Sequence, residues 1–173
     1  MLRVPPSGLG ETTADRVMGH RPELLEAWEN LKHALLGPSS TLSPQLKEEV
    51  RRTLAQQTGC QFCASLGLPS EHHTTDKESL AVAFADAVAD DHTAISDGQF
   101  DVLGDEFTVG EIVELLIWIS VEYAGQMFGC LIGDEPATAE ERHAFAASIA
   151  KLPVSPGARW SRTSMTQPRG ESR

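Results

Sequence analysis

Leu42-Ser43-Pro44-Gln45-Leu46-Lys47-Glu48-Glu49-Val50-Arg51-Arg52-Thr53-Leu54-Ala55-Gln56-Gln57-Thr58-Gly59-Cys60-Gln61-Phe62-Cys63 reads as a helix that delivers a Cys-x-x-Cys pair. Ser43 suits an N-cap and Pro44 the first helical turn, where the missing N–H costs nothing. Leu46, Val50 and Leu54 mark one apolar face, and Gly59 closes the helix after about Thr58. Cys60 then opens a short helical turn cut off by Gly67-Leu68-Pro69. At that position free backbone N–H groups and the helix dipole favour a thiolate, and Cys63 is placed to close a disulfide. Either sulfur could attack a peroxide or exchange with another disulfide while its neighbour resolves the product. Two plainer readings stay open. The pair could be half of a zinc site, with His72, His73 and Cys130 as the supply of further ligands, or two small buried hydrophobes.

Outward from this stretch, every periodic segment is helical. Leu24, Trp28, Leu31 and Leu35 predict an amphipathic helix over 21–36, with Pro22 in its first turn and Gly37-Pro38 as its stop. Leu80, Phe84, Ala87 and Val88 predict a long helix over 76–91, and Ser96 opens a shorter one carrying Phe100 and Leu103. Thr108 with Glu111 three residues on is a capping box for the longest helix, which extends to about Ile132. That helix is apolar nearly all round and is expected to be the central, buried one. Phe145, Ile149 and Leu152 mark a last helix after Pro136. No alternating pattern predicts a strand, and none repeats at a fixed period. The thioredoxin fold needs strands between its helices, so the expected host of the Cys-x-x-Cys pair is an all-α redox domain.

The chain of 173 residues is the size of one domain, and 40% hydrophobic residues suffice for one substantial core. We divide it into an irregular, flexible N-terminal arm (1–19), a helical domain (20–152) and a flexible basic tail (153–173). The tail carries Trp160, Arg159, Arg162, Arg169 and Arg173 among Ser, Pro, Thr and Gly. The formal charge of −11 argues against nucleic acid and anionic lipid as partners. The longest strictly apolar run, Leu115 to Ile119, falls far short of the roughly 20 residues that span a bilayer, and the N-terminus has no apolar signal region. Three cysteines are too few for a disulfide scaffold. The expectation is therefore a reducing cytoplasm and no membrane.

Leu42-Ser43-Pro44-Gln45-Leu46-Lys47-Glu48, eleven residues, then Cys60-Gln61-Phe62-Cys63 resembles the signature of the carboxymuconolactone decarboxylase superfamily, in its alkylhydroperoxidase D (AhpD)-like branch. Glu48 stands twelve positions before Cys60, as that pattern requires. His20-Arg21-Pro22-Glu23-Leu24 and Phe107-Thr108-Val109-Gly110-Glu111-Ile112-Val113-Glu114-Leu115 resemble the openings of the first and the long helix of the family. The resemblance implies an AhpD-like all-α fold assembled into a homo-oligomer, a trimer or hexamer. It further implies reduction of hydroperoxides through the cysteine pair without metal or organic cofactor, with re-reduction by a lipoyl- or thioredoxin-type dithiol protein. It assigns Cys60, Cys63 and Glu48 to the catalytic set, and gives the peroxide-attacking role to the second cysteine, Cys63. The family's fourth member is a histidine four positions after the second cysteine, where this chain has Gly67. His72 or His73 could reach back into that place as a proton relay, against the plainer reading of a solvated Glu-His-His-Thr loop.

The remaining candidates each carry a structural alternative. Glu48 could form an exposed i,i+4 pair with Arg52, or be buried beside Ala55 and Gly59, where desolvation would raise its pKa. A straight helix would hold it about 18 Å from Cys60, so a relay needs the chain to fold back at Thr58-Gly59. Cys130 reads as a core residue, and Trp118, Tyr123, Met127 and Phe128 as core or subunit interface before pocket wall. Glu122 among them lines a cavity or pairs across an interface. Two other functions fit the sequence: a non-catalytic oligomeric binding or redox-sensing protein, supported by Gly67, and decarboxylation, against which the cysteine pair counts.

Overall fold

The structure is a computed structural model and describes residues 1–152; the tail and its Trp160 lie outside the described residues. Among the described residues all regular structure is helical. Thr12 and Asp15 exchange the two hydrogen bonds of a capping box and start α1 (Thr13–Met18) inside the arm read as irregular. α2 (Pro22–Leu36) follows, then α3 (Pro44–Gln57), where the Ser43 hydroxyl accepts from the Leu46 N–H. Cys60 is the N-cap of α4 (Gln61–Ser65). α5 (Asp76–Asp91) ends in a 3-10 turn, His92–Ala94, and α6 (Asp97–Glu106) leads through Phe107 to α7 (Val109–Ile132). The predicted Thr108–Glu111 box starts α7 and a left-handed Gly133 ends it; Thr138 and Glu141 cap α8 (Ala139–Ile149).

α3 is the centre of the fold, packed between α5 and α7. Leu46, Val50 and Leu54 sit in one apolar cluster with Leu35, Ala81, Phe84, Leu103, Leu115, Trp118 and Ile119. Its charged residues are buried as well: Lys47, Glu48, Glu49 and Arg51. Each has an ionic partner, which is what makes such burial tolerable. Lys47, with a side chain 1% exposed, donates to Glu114 of α7, to the Ser40 hydroxyl and to the Leu35 carbonyl. Glu114 also accepts from the Thr41 N–H at 2.8 Å and the Ser40 hydroxyl at 2.8 Å, so one carboxylate fixes the loop that leads into α3. Glu49 pairs with Arg52 and accepts from the N–H and hydroxyl of Ser70 at 2.8 and 2.9 Å, tying down the loop after the cysteines.

α7 is not the central, buried helix that its nearly all-round apolar sequence predicts. Leu115, Trp118, Ile119 and Gln126 face α3 and the core, whereas Val109, Val113, Ile117, Met127 and Leu131 form an exposed apolar stripe, from Val109 at 72% to Leu131 at 60%. In length and composition α7 could cross a membrane, with a mean hydropathy of 1.5. Its inner face, however, carries Glu114 paired to Lys47 and is packed on protein. The arm also contacts this helix: Arg3 donates from its main chain to Ile132 and from its guanidinium to the Cys130 and Leu131 carbonyls, at 2.8, 3.2 and 2.7 Å.

Candidate functional site

Gly59 takes a left-handed conformation, φ +74°, and turns the chain back on itself, as a Glu48–cysteine connection demands. The turn is held by Gln126 of α7, whose side-chain oxygen accepts from the Thr58 hydroxyl at 3.1 Å and whose amide donates to the Arg51 carbonyl at 3.1 Å. Cys60 and Cys63 lie at disulfide-bonding distance, with Cα atoms 5.3 Å apart. The Cys60 sulfur accepts from the Cys63 N–H at 3.2 Å and is sealed beneath α7, the residue being 1% exposed. A Cβ at Gly129 would stand 2.8 Å from that sulfur, so only glycine leaves room for the pair against α7.

Cys63 is half-buried and opens onto a cavity of about 280 Å³. Phe62, Trp28, Met18, Ala124, Gly125 and Phe128 make its walls apolar, and Lys32, Asp15 and Asp134 supply charge. Lys32 is paired, at 2.7 Å to Glu29 and 3.9 Å to Asp15. α1 of the arm thus forms one wall of the cavity, which no periodicity in those residues announces. Cys60 is not among the lining residues, so the two sulfurs differ in access.

Glu48 is buried in α3, but it is not a free carboxylate. Arg51 donates to both oxygens through Nε and Nη2, each at 2.8 Å, and Arg52 adds a third bond at 2.8 Å. Arg51 also reaches the Cys63 carbonyl through Nη1 at 3.1 Å, which joins Glu48 to the cysteine helix through one guanidinium. Of the two readings of Glu48, the carboxylate is buried and the pair with Arg52 also forms, as one side of a three-member cluster in which Arg52 alone keeps some exposure. Arg51 was not legible as a site residue, because the i,i+3 spacing to Glu48 does not show that the chain beyond it folds back.

At Gly67, where the resembled pattern has a histidine, the space is taken by the Arg52 guanidinium. A Cβ at Gly67 would lie 3.2 Å from Arg52 Nε, and Gly67 has φ +154°. Gly67→His should therefore destabilise the fold by about 1–3 kcal/mol in chemical denaturation and add no reactivity at the thiols; a neutral or stabilising result would show that the loop shifts to admit the ring. His72 is exposed and His73 half-buried in the loop that follows. Among the described residues neither hydrogen bonds to Glu48, Cys60 or Cys63 or lines the cavity, and His73 Nδ1 is buried with no hydrogen-bond partner. Cys130 is exposed rather than a core residue, its sulfur 3.6 Å from where a Gly59 Cβ would be, because it lies off the face of α7 on which Gly129 and Ile132 are buried. Tyr123 and Met127 are exposed, Trp118 is core, and Phe128 is cavity wall. Glu122 is half-buried, and its carboxylate accepts from Gln126 at 3.3 Å. Burial pushes its pKa up to about 7 against the pull of Arg51. Among the described residues no three His, Cys, Asp or Glu side chains gather as metal ligands would, so the further ligands of a zinc site are not assembled around the pair. Compared with known proteins, the chain matches no family model, no curated protein and no solved structure.

Proposed function

We propose that this chain is an AhpD-like thiol oxidoreductase that reduces hydroperoxides with Cys63 and Cys60. The observation that carries the reading is the asymmetry of the pair, with Cys63 on the wall of an apolar cavity and Cys60 sealed behind it. The Cys63 thiolate attacks the distal peroxide oxygen, the O–O bond breaks, and the departing alkoxide takes up a proton to leave an alcohol and Cys63 sulfenic acid. The Cys60 thiol then attacks that sulfur, forming the disulfide and releasing water. A dithiol protein of lipoyl or thioredoxin type restores both thiols by exchange and is itself oxidised. The apolar wall suits an organic oxidant, and the cytoplasm is the compartment in which such a reductant keeps the cycle running. The test is stopped-flow oxidation of the reduced protein by an organic hydroperoxide, with mass detection of sulfenic acid and disulfide; rates no faster than a free thiol would overturn it.

One observation favours a second reading, a non-catalytic redox sensor of the same fold. Glu48 has both oxygens bound by arginines, an arrangement that fixes structure more than it moves protons. The exposed stripe of α7 supports self-association in either case. We expect light scattering to show a homo-oligomer, trimer or hexamer, and Ile117→Glu with Met127→Glu to convert it to monomer. A monomeric wild-type protein at micromolar concentration would remove that expectation.

A further inference from the structure

Arg51 is the side chain that joins the buried carboxylate cluster to the cysteines. It is 6% exposed, and its guanidinium, held by Glu48 on one edge and the Cys63 carbonyl on another, lies 4.9 Å from the ring centre of Phe145 in α8. That places a positive charge, paired with Glu48, in a site withdrawn from water, where its field is less screened than at the surface. Gln126 donates both to the Arg51 main-chain carbonyl and to Glu122, which sets a second carboxylate, from α7, within the electrostatic reach of Arg51 without a direct contact. The charged groups facing Glu122 are Arg51 and Glu48 of α3 and Lys32 of α2, whose own partners are Glu29 and Asp15.

We propose that Arg51 is the positioning residue of the cysteine pair, anchoring the Cys63 main chain and supporting the Cys63 thiolate by its charge, and that Glu122 is the carboxylate opposing it. This rests on the thiol reading of the pair. In the step concerned the Cys63 thiol gives its proton to water and becomes a thiolate, while Arg51 keeps all its protons. Glu122 is neutral at low pH and ionises close to neutrality, because burial holds its proton against the pull of Arg51. Once ionised it offsets the field of Arg51, so the thiolate becomes harder to form as Glu122 loses its proton. The Cys63 titration is consequently stretched across neutrality rather than following a single group.

The experiment is the pH dependence of iodoacetamide alkylation at Cys63, read by peptide mass on the reduced full-length protein, which needs no oxidant. Arg51→Gln should raise the Cys63 pKa by about one unit, a roughly tenfold loss of rate at acid pH, and Arg51→Lys should recover part of it. Glu122→Gln leaves the Arg51 contacts in place and should sharpen the wild-type profile into a single titration with faster alkylation above neutrality. A purely structural role would lower the melting temperature without moving these profiles. Folded Arg51 variants with an unshifted Cys63 pKa, or a Glu122→Gln profile superimposed on the wild type, would overturn the proposal. A shifted pKa in a protein that hydroperoxides do not oxidise would leave it standing and remove the peroxidase reading alone.

Discussion

Glu114→Ala is expected to lower the stability of the folded protein by about 3–5 kcal/mol at neutral pH, the range for removing one partner of a buried ion pair. Lys47 would keep its bonds to the Leu35 carbonyl and the Ser40 hydroxyl but lose the carboxylate it pairs with among the described residues, in a site where the side chain is 1% exposed. The loop at Ser40 and Thr41 would lose its acceptor at the same time. The pH dependence follows from the same contacts. Burial pushes the Glu114 pKa up, but the bonds from Lys47, Thr41 and Ser40 win and bring it down from 4.5 to about 2. A carboxylate with a lowered folded pKa adds stability above its unfolded value, and that stability is lost as the pH falls through the folded value. The Glu114 contribution, about 3 kcal/mol by linkage, is thus present above about pH 4.5 and gone below about pH 2. Lys47 works the other way: burial lowers its pKa despite Glu114, so it carries the desolvation cost and the pair is worth less than Glu114 alone suggests. Urea denaturation of the single variants and of Lys47→Met with Glu114→Leu checks this. The double variant should recover most of the loss, and a Glu114→Ala loss under about 1 kcal/mol would mean that water reaches Lys47.

The importance of this pair was not readable in the chain, and the reason is general to the fold. Helix positions were legible because their signals are local. Thr108 with Glu111, Ser43 with Pro44 and the glycine at 59 act within one turn of each helix end, and these ends fall where the sequence placed them. α1 escaped because six residues are too few to show a period, although Thr12 and Asp15 form a capping box. Hydropathy reads what a helix would gain by burial, not which helix is buried. It therefore favoured α7, while α3 with Lys47, Glu48, Glu49, Arg51 and Arg52 took the centre by pairing its charges. The site divides the same way. Cys60 and Cys63 are legible as a Cys-x-x-Cys pair at a helix start, whereas Glu48 is marked as a candidate only through the resemblance. Arg51 on the Cys63 carbonyl, Gly129 over the Cys60 sulfur and the arm along the cavity depend on contacts between distant residues, and no local pattern encodes them.

Cys63→Ser is expected to cut the rate of hydroperoxide oxidation by roughly a hundredfold or more, to that of an unassisted thiol, because the remaining sulfur has no access to the cavity. Cys60 is sealed between α4 and Gly129, where even a Cβ would collide with it. Cys60→Ser should behave differently. Its Cys63 still faces Phe62, Trp28 and Phe128, so the first oxidation should proceed at near the wild-type rate and stop at sulfenic acid, with no disulfide and no second turnover. The two variants therefore separate attack from resolution, and Cys130→Ser controls for the exposed third thiol. Equal losses in both cysteine variants would mean that access does not distinguish the sulfurs. Fast oxidation that survives in Cys63→Ser would assign attack to Cys60 and require the α4–α7 contact to open. Slow oxidation of the wild type itself, with a disulfide that forms only by exchange, would leave the pair as a sensor whose state is set by the surrounding dithiol pool rather than by peroxide.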